Sequence, residues 1–209
     1  MTPTHPNSAS DPVQPQAVAD EIWTDLMEGN RRFREGKEAP RELARRRAEL
    51  ANHQNPRVIV LACSDSRVCP SLIFDKNLGD LFVIRTAGNV ADCVALGSIE
   101  YAAEYLQSRV LLVLGHEHCG GVAAAAGKKL PSSNLQSIVD RIRPAFDSVK
   151  GKASGDKLLR LAERANVHQS ASDILRNSAL LQQKVSDGKL SVIKAIYQLS
   201  SGQVIRLPD

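Results

Sequence analysis

The sequence predicts a single α/β domain with a mainly parallel central β-sheet flanked by helices. Two observations carry this. RVIVLAC (57–63) and VLLVLG (110–115) are short, continuous apolar runs rich in β-branched residues, the pattern of strands buried on both faces. They also alternate with helical patterns instead of following one another through tight turns, which favours parallel pairing through crossovers. The 209 residues suffice for one well-filled core, and neither an internal repeat nor a second domain is visible.

The elements follow in order. MTPTHPNSASDPVQPQ has four prolines and no apolar core, so residues 1–16 are expected to be a disordered tail before a domain over 17–209. From Ala17 to Glu35, Ile22, Leu26 and Phe33 recur at helical spacing, and Gly36 ends the helix. A second helix is expected over 41–52, then the first strand, 57–63. DLFVIRTAGN (80–89) reads as a strand entering a Gly-Asn loop, ALGSIEYAAEYL (95–106) as a helix, and 110–115 as a strand. GVAAAAGKKL is a short helix ended by Gly127. Residues 132–186 are mostly helical, and KLSVIKAIYQL (189–199), SSG and QVIRL form a closing hairpin.

Composition excludes several classes. The formal charge of +4 comes from Lys and Arg scattered along the chain, and the densest patch, Arg45–Arg47, is flanked by Glu42 and Glu49 as on a solvated helix face. Aromatic residues make up 4% of the chain, so there is no stacking platform for bases, and nucleic acid is not expected as a partner. No run of 18 apolar residues occurs, so no membrane span is expected. Four cysteines without an export signal argue against a disulfide scaffold and for a reducing cytoplasm.

Functional groups in such sheets collect beyond the carboxyl ends of strands, where Cys63 and His116 stand. In an extended segment Cys63 and Asp65 share a face. In the first turn of a helix His116 and Cys119 would do the same, with the Cys119 thiolate favoured by free N–H groups. Two thiolates and one imidazole are a reasonable zinc set that leaves one position for water. Small core cysteines and a loop histidine would be the bland reading. Two strand ends and both partners together favour the metal. A phosphatase-type loop would need an arginine where Ala125 stands, and GHEHCGG lacks the spacing that cradles a dinucleotide.

CSDSR, FVIRTAGN and GHEHCGG, in this order, resemble the β-class carbonic anhydrases, over about residues 20 to 207. The resemblance implies zinc, one per subunit, on Cys63, His116 and Cys119, with Asp65 and Arg67 as the catalytic dyad. It implies a zinc lyase that reversibly hydrates carbon dioxide to bicarbonate and a proton, built as a homodimer or higher homo-oligomer whose N-terminal helices extend to a partner subunit. A finer match points to the plant-like branch: Gln54, the run Val68-Cys69-Pro70-Ser71, Phe82 and Tyr101 agree with it. Val60 stands where the bicarbonate-inhibited bacterial branch has tryptophan.

The resemblance implies a substrate pocket of Gln54, Phe82, Ala87, Tyr101 and the Gly120 N–H. Asp65 would accept a hydrogen bond from zinc-bound water, held ionised by Arg67, and would become a fourth ligand in a closed state. His118 is a candidate proton relay. Thr86, Ala87, Lys194 and Gln198 depart from the family pattern and leave pocket width and oligomer contacts open. Hydrolysis of carbon disulfide or carbonyl sulfide on the same scaffold is the alternative activity, and a non-catalytic zinc-binding member the alternative class.

Overall fold

The computed structural model describes residues 15–127 and 130–208. In chain order the elements are α1 (Pro15–Glu35), α2 (Leu43–Glu49), β1 (Val58–Cys63), α3 (Pro70–Ile73), β2 (Leu81–Thr86), a 3-10 turn (Ala87–Asn89), α4 (Cys93–Glu104) and β3 (Val110–His116). There follow α5 (Gly120–Ala125), α6 (Ser133–Val149), α7 (Gly155–Arg176), α8 (Ala179–Ser186), β4 (Ser191–Tyr197) and β5 (Val204–Arg206). The five strands lie in the order β2-β1-β3-β4-β5. The first four are parallel, and β5 turns back antiparallel on β4 as the closing hairpin. This is the expected α/β sheet.

Every residue of β1 and β3 is buried, which explains their unbroken apolar sequence: helices cover both faces. On one face Val58, Val60, Leu112 and Leu114 pack with Ala19, Ile22 and Leu26 of α1. On the other, Ile59, Leu61, Leu111 and Val113 meet Ile99 of α4 and Val167 and Ile174 of α7. A third cluster joins Cys63 and Cys119 to α5, α6 and α7 and forms the floor of the carboxyl end.

One boundary differs from expectation. The first helix begins at Pro15, inside the segment read as tail; residues 1–14 lie outside the described residues. Its apolar stripe, Ala19, Ile22 and Leu26, is buried on this chain's own sheet. Only α2 among the N-terminal helices buries nothing, with Leu43 half exposed. The Gly-Asn loop after β2 is a tight turn in which Gly88 and Asn89 both take positive φ, outside right-handed helical geometry. No helix among the described residues is long and apolar enough to cross a membrane.

Candidate metal centre

Parallel pairing brings the carboxyl ends of β1 and β3 side by side, and so Cys63 beside His116. Beyond β3 the chain does not enter a helix directly. His116 is the last strand residue, His118 turns the backbone at φ +54, and Cys119 is the N-cap of α5. The expectation that His116 and Cys119 share one helical turn is therefore corrected. The left-handed turn at His118 folds Cys119 back toward the strand end, and the Glu117 N–H to Tyr197 carbonyl bond fixes the turn to β4.

Among the described residues, Cys63, His116 and Cys119 form the one group of side chains able to hold a metal ion, their ligand atoms all within 4.8 Å of one another. The sulfurs lie 4.0 Å apart. Two thiolates about 2.3 Å from a tetrahedral zinc would sit about 3.8 Å apart, so the spacing fits. His116 Nδ1 is 2.8 Å from the Glu117 carbonyl, which can only accept. Nδ1 therefore carries the proton, and Nε2 presents its lone pair to the sulfurs. That Nε2 is buried without a hydrogen-bond partner, an orphan that a metal ion satisfies.

Asp65 sits at the rim, its Oδ2 4.0 Å from His116 Nε2. Arg67 grips it in a fork, Nε to Oδ1 at 2.9 Å and the terminal nitrogen to Oδ2 at 2.7 Å, and adds its backbone N–H to Oδ1. The Arg67 guanidinium thus holds the Asp65 carboxyl well below the usual carboxylate range. This is the arrangement with Asp65 turned to Arg67 and not to the metal position. Arg85 of β2 fixes the same segment by donating to the Cys63 and Asp65 carbonyls.

The sulfurs share a proton unequally. A hydrogen bond from the Cys119 thiol lowers Cys63 to about 4, with help from His116 and the Gly88 N–H at 3.3 Å. Cys119 is correspondingly pushed up by the Cys63 sulfur and by burial. Burial pulls His116 down, but the neighbouring Cys63 sulfur and the Glu117 carbonyl outweigh this and raise it. A cation at the centre would favour both thiolates and the neutral imidazole, which is the donor set these groups form.

The expected pocket residues divide into two sets. Ala87 follows β2 directly, next to Gly88 and its bond to Cys63, and Gly120 opens α5 with free space in front of its Cα, so both lie at the metal end. Gln54, Phe82 and Tyr101 do not join them. Phe82 pairs with Ile59, four residues before Cys63, about 13 Å back along the strand. Tyr101 is stacked beside it, centroids 6.2 Å apart. Gln54 and Tyr101 line an open cavity of 750 Å³ with Leu50, Leu78 and Leu106, at the amino end of the sheet. Within one chain the slot foreseen from the sequence is split.

Sequence reading missed two buried polar side chains of α7. Glu163 accepts the Cys119 N–H at 3.0 Å, and Asn166 donates to the Gly88 carbonyl at 2.8 Å. Burial pushes the Glu163 carboxyl up. The available signal was a polar pair three apart beside the apolar stripe of Ala162, Val167, Ala171 and Ile174, which an ordinary solvated helix face also shows.

A family model described as "Carbonic anhydrase" matches residues 58–204. Carbonic anhydrase 2 of Mycobacterium tuberculosis is 36% identical over 188 residues, covering 88% of this chain and 90% of that protein. Among solved structures, the β-carbonic anhydrase CcaA is 28% identical with a TM-score of 0.70, covering 89% of this chain and 87% of that one. A structure from a study of two tetrameric β-carbonic anhydrases of Sordaria macrospora shares the fold at 20% identity and TM-score 0.72, covering 93% and 95% of the two chains.

Proposed function

This chain belongs to the carbonic anhydrase family and is an enzyme of that activity, and on this premise we propose how its residues divide the work. Cys63, His116 and Cys119 hold one zinc ion per subunit. The observation that carries this is the orphaned His116 Nε2 facing two sulfurs 4.0 Å apart. When bound, zinc acidifies water so that a hydroxide nucleophile is available near neutral pH.

Asp65 is kept ionised by the Arg67 fork, so it can only accept hydrogen bonds. Its Oδ2 would accept a hydrogen bond from the nucleophile and so orient it toward carbon dioxide. Ala87 offers the small apolar wall that an uncharged substrate needs, and the Gly120 N–H donates to an oxygen of the forming bicarbonate. Water and carbon dioxide are consumed, bicarbonate and a proton leave, and the reverse path uses the same contacts.

The second half of the pocket comes from another copy of this chain. Gln54, Phe82 and Tyr101 flank an exposed apolar stripe on α4, where Val94 is 73% and Tyr105 75% exposed, beside the uncovered edge strand β2 with Val83 exposed. A two-fold pairing over this face would set the Gln54 end of one protomer against the Cys63 end of its partner. We read the completed pocket as the plant-like one, supported by Gln54, Phe82, Tyr101 and by Val60, which is fully buried and cannot act as a pocket aromatic. Two cysteine ligands that must remain thiolates suit a reducing compartment, and we place the protein in the cytoplasm.

The test is stopped-flow hydration of carbon dioxide by the zinc-loaded parent and Asp65→Asn. The variant should lose roughly 100-fold or more in turnover with its zinc retained. Equal rates would remove Asp65 from the reaction.

A further inference from the structure

Helix α7 carries Glu163 and Asn166 almost wholly buried, 3% and 1% exposed, against the floor of the metal centre. A carboxylate and an amide at such positions cost desolvation that alanine or leucine would avoid, so their retention needs a reason. Their contacts supply one. Glu163 takes the backbone N–H of Cys119, 44 residues earlier. Asn166 holds the carbonyl of Gly88, whose own N–H points at the Cys63 sulfur. The two side chains stand three residues apart and so share one face of a single helix. The loops they hold already touch: a Cβ on Gly121 would come within 3.2 Å of the Gly88 Cα. One helix therefore ties the Cys119 backbone and the Gly88 turn whose N–H meets the Cys63 sulfur.

We propose that Glu163 and Asn166 are positioning residues that together set the separation of the Cys63 and Cys119 sulfurs, and hence the affinity and geometry of the metal site. The proposal rests on the three-ligand reading above. Neither residue touches metal or substrate; each acts through a backbone group one step away. The neutral amide of Gln at 163 offers the same acceptor oxygen, whereas Met of similar shape offers none of comparable strength. Leu at 166 keeps the bulk of Asn and removes its donor.

The experiment titrates metal-free full-length protein with Co²⁺, reading the thiolate-to-cobalt charge-transfer band and the d–d bands of tetrahedral cobalt. Zn²⁺ affinity is then measured by competition with a chromophoric chelator. Glu163→Met and Asn166→Leu should each weaken Zn²⁺ binding roughly 10- to 100-fold and shift the d–d bands, with the far-ultraviolet circular dichroism of the parent. Glu163→Gln should stay within about threefold of the parent, since it rescues the hydrogen bond. Parental affinity and spectra in Asn166→Leu or in folded Glu163→Met overturn the proposal, as does a loss in Glu163→Gln equal to that in Glu163→Met. If Glu163→Met does not fold, Asn166→Leu and Glu163→Gln decide. A parent without the thiolate band would sink the three-ligand reading and the proposal together; a normal parent band with unaltered variants sinks the proposal alone.

Discussion

At the scale of single residues, ionised groups are held by the donors around them. Asp65 is one case and Asp75 another. The Asp75 carboxylate is buried between Arg32, Arg41 and the Ala39 N–H, with Arg32 at 2.6 Å. Burial alone would raise its pKa, yet the Ala39 N–H and Arg32 outweigh it, and the group titrates below its ordinary value. Its contribution to stability is therefore present above the unfolded value, near 3.9, and fades as pH falls through the lower folded one. Asp75→Asn should cost about 1–3 kcal/mol in urea unfolding at pH 7, with the gap to the parent closing below about pH 4. A gap independent of pH would show that shape, and not charge, is what Asp75 supplies. The Cys63, His116 and Cys119 group and the Asp65–Arg67 pair were legible because two short motifs carry them at strand ends. Glu163, Asn166 and Arg85 were not, because they act through backbone groups far away in sequence and leave no spacing to read.

At the scale of elements, strands were easier to read than their approach to helices. β1 and β3 announce themselves by apolar continuity, whereas α3, four residues long, has no periodicity to display. The same limit hid where α1 docks, since a stripe of Ala19, Ile22 and Leu26 says that something is buried but not against what. Gly29 marks the docking point. A Cβ there would lie 1.8 Å from the Phe74 carbonyl oxygen, so α1 passes α3 in backbone contact. Helix propensity alone favours Gly29→Ala by about 1 kcal/mol. We expect the reverse, a loss of about 1–3 kcal/mol in the urea midpoint analysis, because α1 must move off α3. A stabilised variant would mean that α1 does not pack there.

At the scale of the whole molecule, the sheet places half of the expected pocket at each of its ends. Sequence order gave no warning, because Gln54 lies only nine residues before Cys63 yet at the opposite end of a fully extended strand. The proposed pairing of two copies would reconcile the halves, and it makes a sharp forecast. Asp65→Asn and Gln54→Ala proteins, each impaired alone, should recover on subunit exchange to roughly a quarter of the parental sites, since a mixed pair holds one intact site. Activity that stays at the average of the two variants would show that each chain works by itself. The central claim, a zinc ion held by Cys63, His116 and Cys119 as the seat of hydration, has a more direct test. Metal-free protein is titrated with Zn²⁺ while initial rates of carbon dioxide hydration are followed by stopped flow. Activity should climb linearly and break at one zinc per chain, and the Cys119→Ala protein should show no such rise. Hydration by the metal-free chain, or an unchanged titration in Cys119→Ala, would contradict it.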